Sequence, residues 1–222
     1  MDLLSFNDED LIDGYSRSEN ISDEILEIYR KKYDKRISRE DIFYYIYGVL
    51  HSPEYKKRFS SDLSKRLPRI PFLKEFWLFS KAGQDLASWH LNYETVEPYP
   101  LIQDGEIDLG DSKLYEITKM YFPKTSGKED KTTIVYNNRI KLGGIPLETY
   151  DYQVNGKSAI DWLIERYQVS IDTDSQIKND PNDWCREADD PEYILNLIKR
   201  LVKVSVESVK IIKSLPQLDE IA

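Results

Sequence analysis

Apolar positions recur at helical spacing through the first third of the chain, give way to partial alternation in the middle, and return to helical spacing towards the end. In "SDEILEIYRKKY", Ser22 is a candidate N-cap and Ile25, Ile28 and Tyr29 fall on one side of a helix. "SREDIFYYIYGVLHS" repeats the device, with Ser38 as cap, Asp41 at the N3 position and a stripe of Ile42, Tyr45, Ile46 and Val49. Ser52 followed by Pro53 opens a third helix, and the prolines of "RLPRIPF" stop it and hold Arg69 on an extended segment. "FLKEFWLFSKAGQDLASWHL" places Phe72, Phe76, Phe79, Leu86 and Trp89 at helical spacing and predicts one or two helices broken near Gly83.

From Leu114 to Ile145 the text becomes rich in β-branched and aromatic residues, and "LYEITKMYF" and "TTIVYNNRIKLGGIP", separated by polar Lys124 to Lys131, predict a hairpin or small antiparallel sheet. "SAIDWLIERYQV" predicts an amphipathic helix through Ile160, Leu163, Ile164 and Tyr167. "DPNDWCREADDP" reads as turns, and "PEYILNLIKRLVKVSVESVKIIKSL" as a long closing helix. The class is therefore α+β, with an N-terminal helical region, a small central antiparallel sheet and C-terminal helices. Residues 1–20 read as an acidic arm or the tail of a preceding linker. Residues 21–222 read as one domain, with a helical part about 21–98, a sheet-containing part about 99–150 and a helical closing part about 151–216.

Composition narrows the function classes. With 40% aliphatic and aromatic residues, 16 of them Tyr and 4 Trp, the chain has enough apolar surface for a core. One cysteine, Cys185, excludes an internal disulfide framework, and it cannot with His51 and His90 complete a tetrahedral zinc site without carboxylates. No apolar run approaches the roughly 18 residues of a membrane helix. "MDLLSFNDED" lacks the basic and apolar regions of a signal peptide, so a cytoplasmic protein without a membrane partner is expected. The net charge of −9 argues at first against a polyanionic partner. Charge is unevenly spread, however: Met1 to Tyr29 holds nine acids and one base, whereas Arg30 to Lys81 holds fourteen bases and six acids. A basic face on an acidic body follows, with ordinary solvated helix surface as the plain alternative.

Catalytic text is sparse. "GKSAI" at Gly156 lacks the first glycine of a phosphate loop, and the Asn/Asp-Pro-Pro-aromatic tetrapeptide of adenine methyltransferases is absent. Acid-x-lysine triplets occur at Asp111 to Lys113 and Glu129 to Lys131, with Asp104 or Asp108 upstream, which is a weak half-motif for a metal-dependent nuclease in a chain so rich in charge. His51, His90 and Cys185 sit among apolar neighbours and read as structural. The aromatics Phe43, Tyr44, Tyr45 and Tyr47 are expected to build a core, because a duplex offers no free base faces for stacking.

"DIFYYIYGVLHSPEYKKRF" followed by "LPRIPF", then "NYE" at Asn92, "YDYQVNGKSAIDWLIERYQV" at Tyr150 and "DPNDW" at Asp180 resemble, in order, the C-terminal target-recognition domain of type ISP restriction-modification enzymes. The resemblance spans about Ile21 to Leu215. It implies a non-catalytic fragment that recognises double-stranded DNA sequence-specifically, with methyltransferase and motor domains in the same parent polypeptide as partners. S-adenosylmethionine, ATP and magnesium are then expected for the parent restriction endonuclease and N6-adenine methyltransferase, and no cofactor or metal for this fragment. A coupling domain that does not read DNA is the alternative. Physical reasoning nominates Lys56, Lys57, Arg58, Lys65, Arg66, Arg69 and Lys157 for phosphates, the last at a turn before a helix. It nominates Asn137, Asn138 and Arg139 for base edges, where Asn suits adenine and Arg guanine, a hairpin turn being the plain alternative for Asn-Asn.

Overall fold

A computed structural model of the chain describes residues 11, 12, 15, 16, 19–63, 65, 67–105 and 111–221; most of the expected acidic arm lies outside them, as do Arg66 and Asp108. In chain order the elements are β1 (Leu11–Ile12), β2 (Tyr15–Ser16), α1 (Asp23–Lys32), α2 (Arg39–His51), α3 (Pro53–Arg58), α4 (Ser60–Leu63), α5 (Phe76–Leu91) and β3 (Ile102–Gly105). They continue with β4 (Lys124–Thr125), β5 (Lys128–Glu129), β6 (Thr133–Val135), β7 (Ile140–Gly143), β8 (Gln153–Val154), β9 (Lys157–Ser158) and α6 (Ala159–Arg166). Last come β10 (Ser170–Ile171), β11 (Lys178–Asn179), α7 (Asn182–Glu187) and α8 (Tyr193–Lys213). Helices at both ends and small antiparallel sheets between them make the fold α+β, as the periodicities predict. The chain divides into two compact units, Met1–Gln84 with Pro216–Ala222, and Asp85–Leu215.

The first unit is a set of capped helices. Ser22 accepts from Ile25 N at 3.3 Å, Ser38 and Asp41 form a reciprocal capping box, and Ser52 accepts from Tyr55 N ahead of Pro53. α1 buries Leu26 and Tyr29; of the expected face of Ile25, Ile28 and Tyr29 only Tyr29 is buried, while Ile25 and Ile28 are 42% and 40% exposed. Tyr29 sets that face because its ring packs against Tyr45, Phe72 and Phe76. On α2 only Tyr45 of the four expected core aromatics is fully buried. Phe43 is 54% exposed, since one stripe of a helix can face the packed side.

α5 is unbroken at Gly83, contrary to the expected interruption. A Cβ on Gly83 would lie 1.8 Å from Tyr44 O, and one on Gly48 would lie 2.3 Å from Phe79 O. The two glycines let the backbones of α2 and α5 touch, so this glycine serves packing and not helix termination. The "LPRIP" segment is held by two buried tyrosines: Tyr55 Oη donates to Arg69 O at 2.8 Å, and Tyr45 Oη donates to Pro71 O at 2.5 Å while accepting from Leu73 N at 3.0 Å.

In the second unit the sheet order is β3–β7–β6, all antiparallel, with Leu142 opposite both Gln103 and Ile134. Ile140 and Leu142 point inward and Lys141 outward, the alternation a one-sided sheet requires. "LYEITKMYF" is not a continuous strand. It begins in a 3-10 helix, Ser112–Tyr115, and then pairs through Tyr121 with Val135 and through Lys119 with Gln168. β3 has no counterpart in the expected sheet, because "IQDG" carries a single exposed apolar residue. Leu114, Ile134, Tyr136, Ile140, Leu142, Ile160, Leu163 and the inner face of α8 close one core.

The segment read as turns contains α7. Its Asn182 donates to Ile117 O and accepts from Ile117 N, and Asp180 bonds Asn182, Lys178 and Arg186. Burial alone would raise the Asp180 carboxyl, but these donors outweigh it and hold it down at about 2. No helix among the described residues is long and apolar enough to cross a membrane.

Candidate nucleic-acid interface

The cations of the first unit differ in how far they are committed. Arg58 pairs with Glu220 at 2.9 Å and lies over the Phe59 ring, so it fastens the C-terminal segment to α3. Lys56 and Lys57 are exposed in the last turn of the same helix, and Lys65 is exposed beyond α4. Arg69 is exposed on the extended segment, and the Tyr55 bond to its own carbonyl fixes its backbone against α3. Lys57, Lys65 and Arg69 make no ion pair among the described residues. Helix end and pinned segment thus present Lys56, Lys57 and Arg69 from one rigid scaffold, while Arg66 lies outside the described residues.

The second unit brings Asn137, Asn138 and Arg139 together in the β6–β7 turn, and it gives them different duties. Asn137 Nδ2 donates to Leu114 O at 2.8 Å and Glu116 O at 3.0 Å, and its Oδ1 accepts from Arg139 N at 2.9 Å and Ile140 N at 2.8 Å. Two donors and two acceptors are all that this amide has, so its capacity is spent on the fold. Arg139 pairs with Asp111 at 2.8 Å, and its guanidinium holds that carboxyl below the ordinary range. Asn138 is exposed and makes no side-chain hydrogen bond among the described residues. Lys157 lies over the Trp162 ring and pairs with Glu165, whose carboxyl it lowers; it is tied down on α6.

A further group escaped sequence reasoning. Lys119, Tyr121, Lys124 and Lys128 are exposed, and the three lysines have no ion pair among the described residues. Lys119 and Tyr121 line two adjoining shallow depressions, one reaching Asn138 and the other Lys124. The sequence signal was Ser126-Gly127 between two short β-compatible stretches, which is a tight-turn dipeptide. Asp104, Asp111 and Glu129 do not gather: among the described residues no three His, Cys, Asp or Glu come together in a way that could hold a metal. His51 Nδ1 lies 2.8 Å from Tyr47 O, His90 Nε2 lies 3.0 Å from Ser208 Oγ, and Cys185 is buried, all within the packing.

Fold and surface together define an α+β module whose ordered, exposed cations suit an anionic partner. The chain belongs to the type ISP C-terminal specificity domain family, whose profile matches residues 4–197. No curated protein is significantly similar to it. Among solved structures, a nuclease-deletion mutant of the type ISP restriction-modification enzyme LlaGI in complex with a DNA substrate mimic is 39% identical, with a TM-score of 0.74 over 83% of this chain. The ATP-dependent type ISP restriction-modification enzyme LlaBIII bound to DNA is 37% identical, with a TM-score of 0.76 over 87%. The DrdV–DNA complex is 33% identical, with a TM-score of 0.76 over 89%. The chain spans only 14%, 12% and 20% of those three chains.

Proposed function

We propose that this chain is the double-stranded DNA target-recognition module of a larger restriction-modification polypeptide and that it acts in the cytoplasm. It selects the site, while nuclease, motor and N6-adenine methyltransferase parts of the parent, using magnesium, ATP and S-adenosylmethionine, do the chemistry. The observation that carries this reading is membership of the specificity-domain family together with relatives above 30% identity solved as DNA complexes. The exposed cations supply the physical means. In the first unit Lys56, Lys57, Lys65 and Arg69 contact phosphates and position the duplex, which carries no sequence information by itself.

Lys57→Ala and Arg69→Ala therefore weaken binding to every duplex alike. Each lowers the slope of log affinity against log salt by about one, as loss of one phosphate contact demands. Fluorescence anisotropy across a salt series measures both quantities. Affinity that ignored salt in the unmodified chain would favour a coupling domain that docks other domains.

A further inference from the structure

The β4–β5 hairpin is an exposed, ordered feature of the second unit. All six residues from Lys124 to Glu129 are exposed, and the strands pair Lys124 with Glu129 and Thr125 with Lys128. Ser126 and Gly127 carry φ of 52° and 81°, the left-handed pair of a type I′ turn, and a Cβ on Gly127 would meet nothing within 4 Å. The tip stands in open space.

Its root is fixed. Tyr121 and Val135 exchange backbone hydrogen bonds of 3.2 and 2.9 Å, and Asp130 N donates to Pro123 O at 2.7 Å. Lys131 Nζ pairs with Asp161 at 2.9 Å and sits 5.0 and 4.9 Å from the Phe122 and Tyr150 ring centroids, while Tyr150 Oη holds Lys131 O at 2.7 Å. The hairpin Lys124–Glu129, joined below by the Asp130–Pro123 bond, is thus a short two-stranded ribbon; residues 131 and 132 turn out of the ladder before Val135 pairs with Tyr121, and this base is anchored on α6 and the sheet.

Charge along the ribbon favours an anion. Lys119, Lys124 and Lys128 are exposed without ion pairs among the described residues, and Asp130 is turned back to accept from Thr132 N and Thr132 Oγ1 at 3.0 and 2.6 Å. Glu129 opposes them as the cross-strand neighbour of Lys124, and Glu116, in the depression beside Lys119, is engaged by Arg186 at 2.7 Å. A two-stranded ribbon fits a major groove about 12 Å wide, and short hydroxyl side chains hydrogen-bond base edges there, the Thr methyl also meeting the thymine methyl.

We propose that this ribbon enters the major groove, with Thr125 and Ser126 at its tip reading base edges and Lys119, Lys124 and Lys128 holding the flanking phosphates. The inference rests on the duplex-recognition reading and adds to it the element that sets specificity, in place of the Asn137 amide, whose bonds are spent. Asn138, at the far end of the same strip of depressions, borders the contact.

The test is competition binding with a preferred duplex and its single-base-pair variants, using the full chain and two altered chains. Thr125→Ala combined with Ser126→Gly leaves the turn intact, since glycine adopts positive φ without strain. It lowers discrimination at least fivefold at one or more base pairs and leaves affinity for unrelated duplex unchanged. Lys124→Ala combined with Lys128→Ala weakens all duplexes equally. Unchanged discrimination in the first variant would overturn the inference, as would uniform weakening, which would make the tip a backbone contact. A chain with no preference in unaltered form fails the recognition reading itself, and the ribbon proposal falls with it.

Discussion

Gly83→Ala unfolds the first unit at a denaturant concentration far below that of the unaltered chain, with a loss of about 3 kcal/mol or more. The added methyl would lie 1.8 Å from Tyr44 O, 2.7 Å from Tyr44 C and 2.8 Å from Gly48 N, and all three atoms belong to the backbone of α2. A side chain would swing aside; a helix backbone cannot. α2 and α5 must separate, and Tyr45, Phe76 and Phe79, which pack between them, lose contact together. An exposed helical glycine behaves in the opposite way, where alanine gains about 1 kcal/mol, so the sign alone distinguishes close packing from ordinary propensity. Gln84→Ala, one position along on an exposed site, shifts stability by less than about 0.5 kcal/mol and serves as control.

Asn137→Ala costs the second unit about 2–4 kcal/mol, because two carbonyls and two N–H groups lose their partner in a half-buried turn. Asn137→Asp keeps the two accepted bonds but sets a carboxylate oxygen against the Leu114 and Glu116 carbonyls, and costs at least as much as Asn137→Ala. Asn138→Ala, on the exposed neighbour, leaves stability within about 0.5 kcal/mol. Urea denaturation of the three variants separates these outcomes. Equal stability of Asn137→Ala and Asn138→Ala would show that the amide of Asn137 is dispensable to the fold and restore it as a candidate base reader.

What was legible in the sequence was what depends on near neighbours along the chain. Ser22, Ser38 and Ser52 all cap helices through bonds to residues three positions on, and each such bond is implied by the local text. The long closing helix was legible for the same reason, its apolar period running through 21 residues. Gly83 was misread because a glycine that ends a helix and one that admits a second helix look alike until the partner backbone is known. The buried face of α1 was misread because Ile25 and Ile28 border the stripe that Tyr29 occupies, and the choice is made by aromatic residues more than 15 positions away.

The candidate site divides along the same line. The concentration of positive charge was visible in the text, whereas the freedom of each charge was not. Arg139 is engaged by Asp111, 28 residues earlier, and Arg58 by Glu220 at the other end of the chain. Lys119 drew no attention inside a predicted strand, nor did Lys124 and Lys128 in the polar text that follows, although a hairpin projects the latter two.

The most direct measurement is selection of bound duplexes from a randomised pool by this chain at about 100 mM salt, where nonspecific phosphate attraction is partly suppressed. Recovery of one short shared sequence, bound far more tightly than scrambled competitor, is the predicted result. Recovery of duplexes with no enriched sequence would contradict the assignment of target recognition to this module.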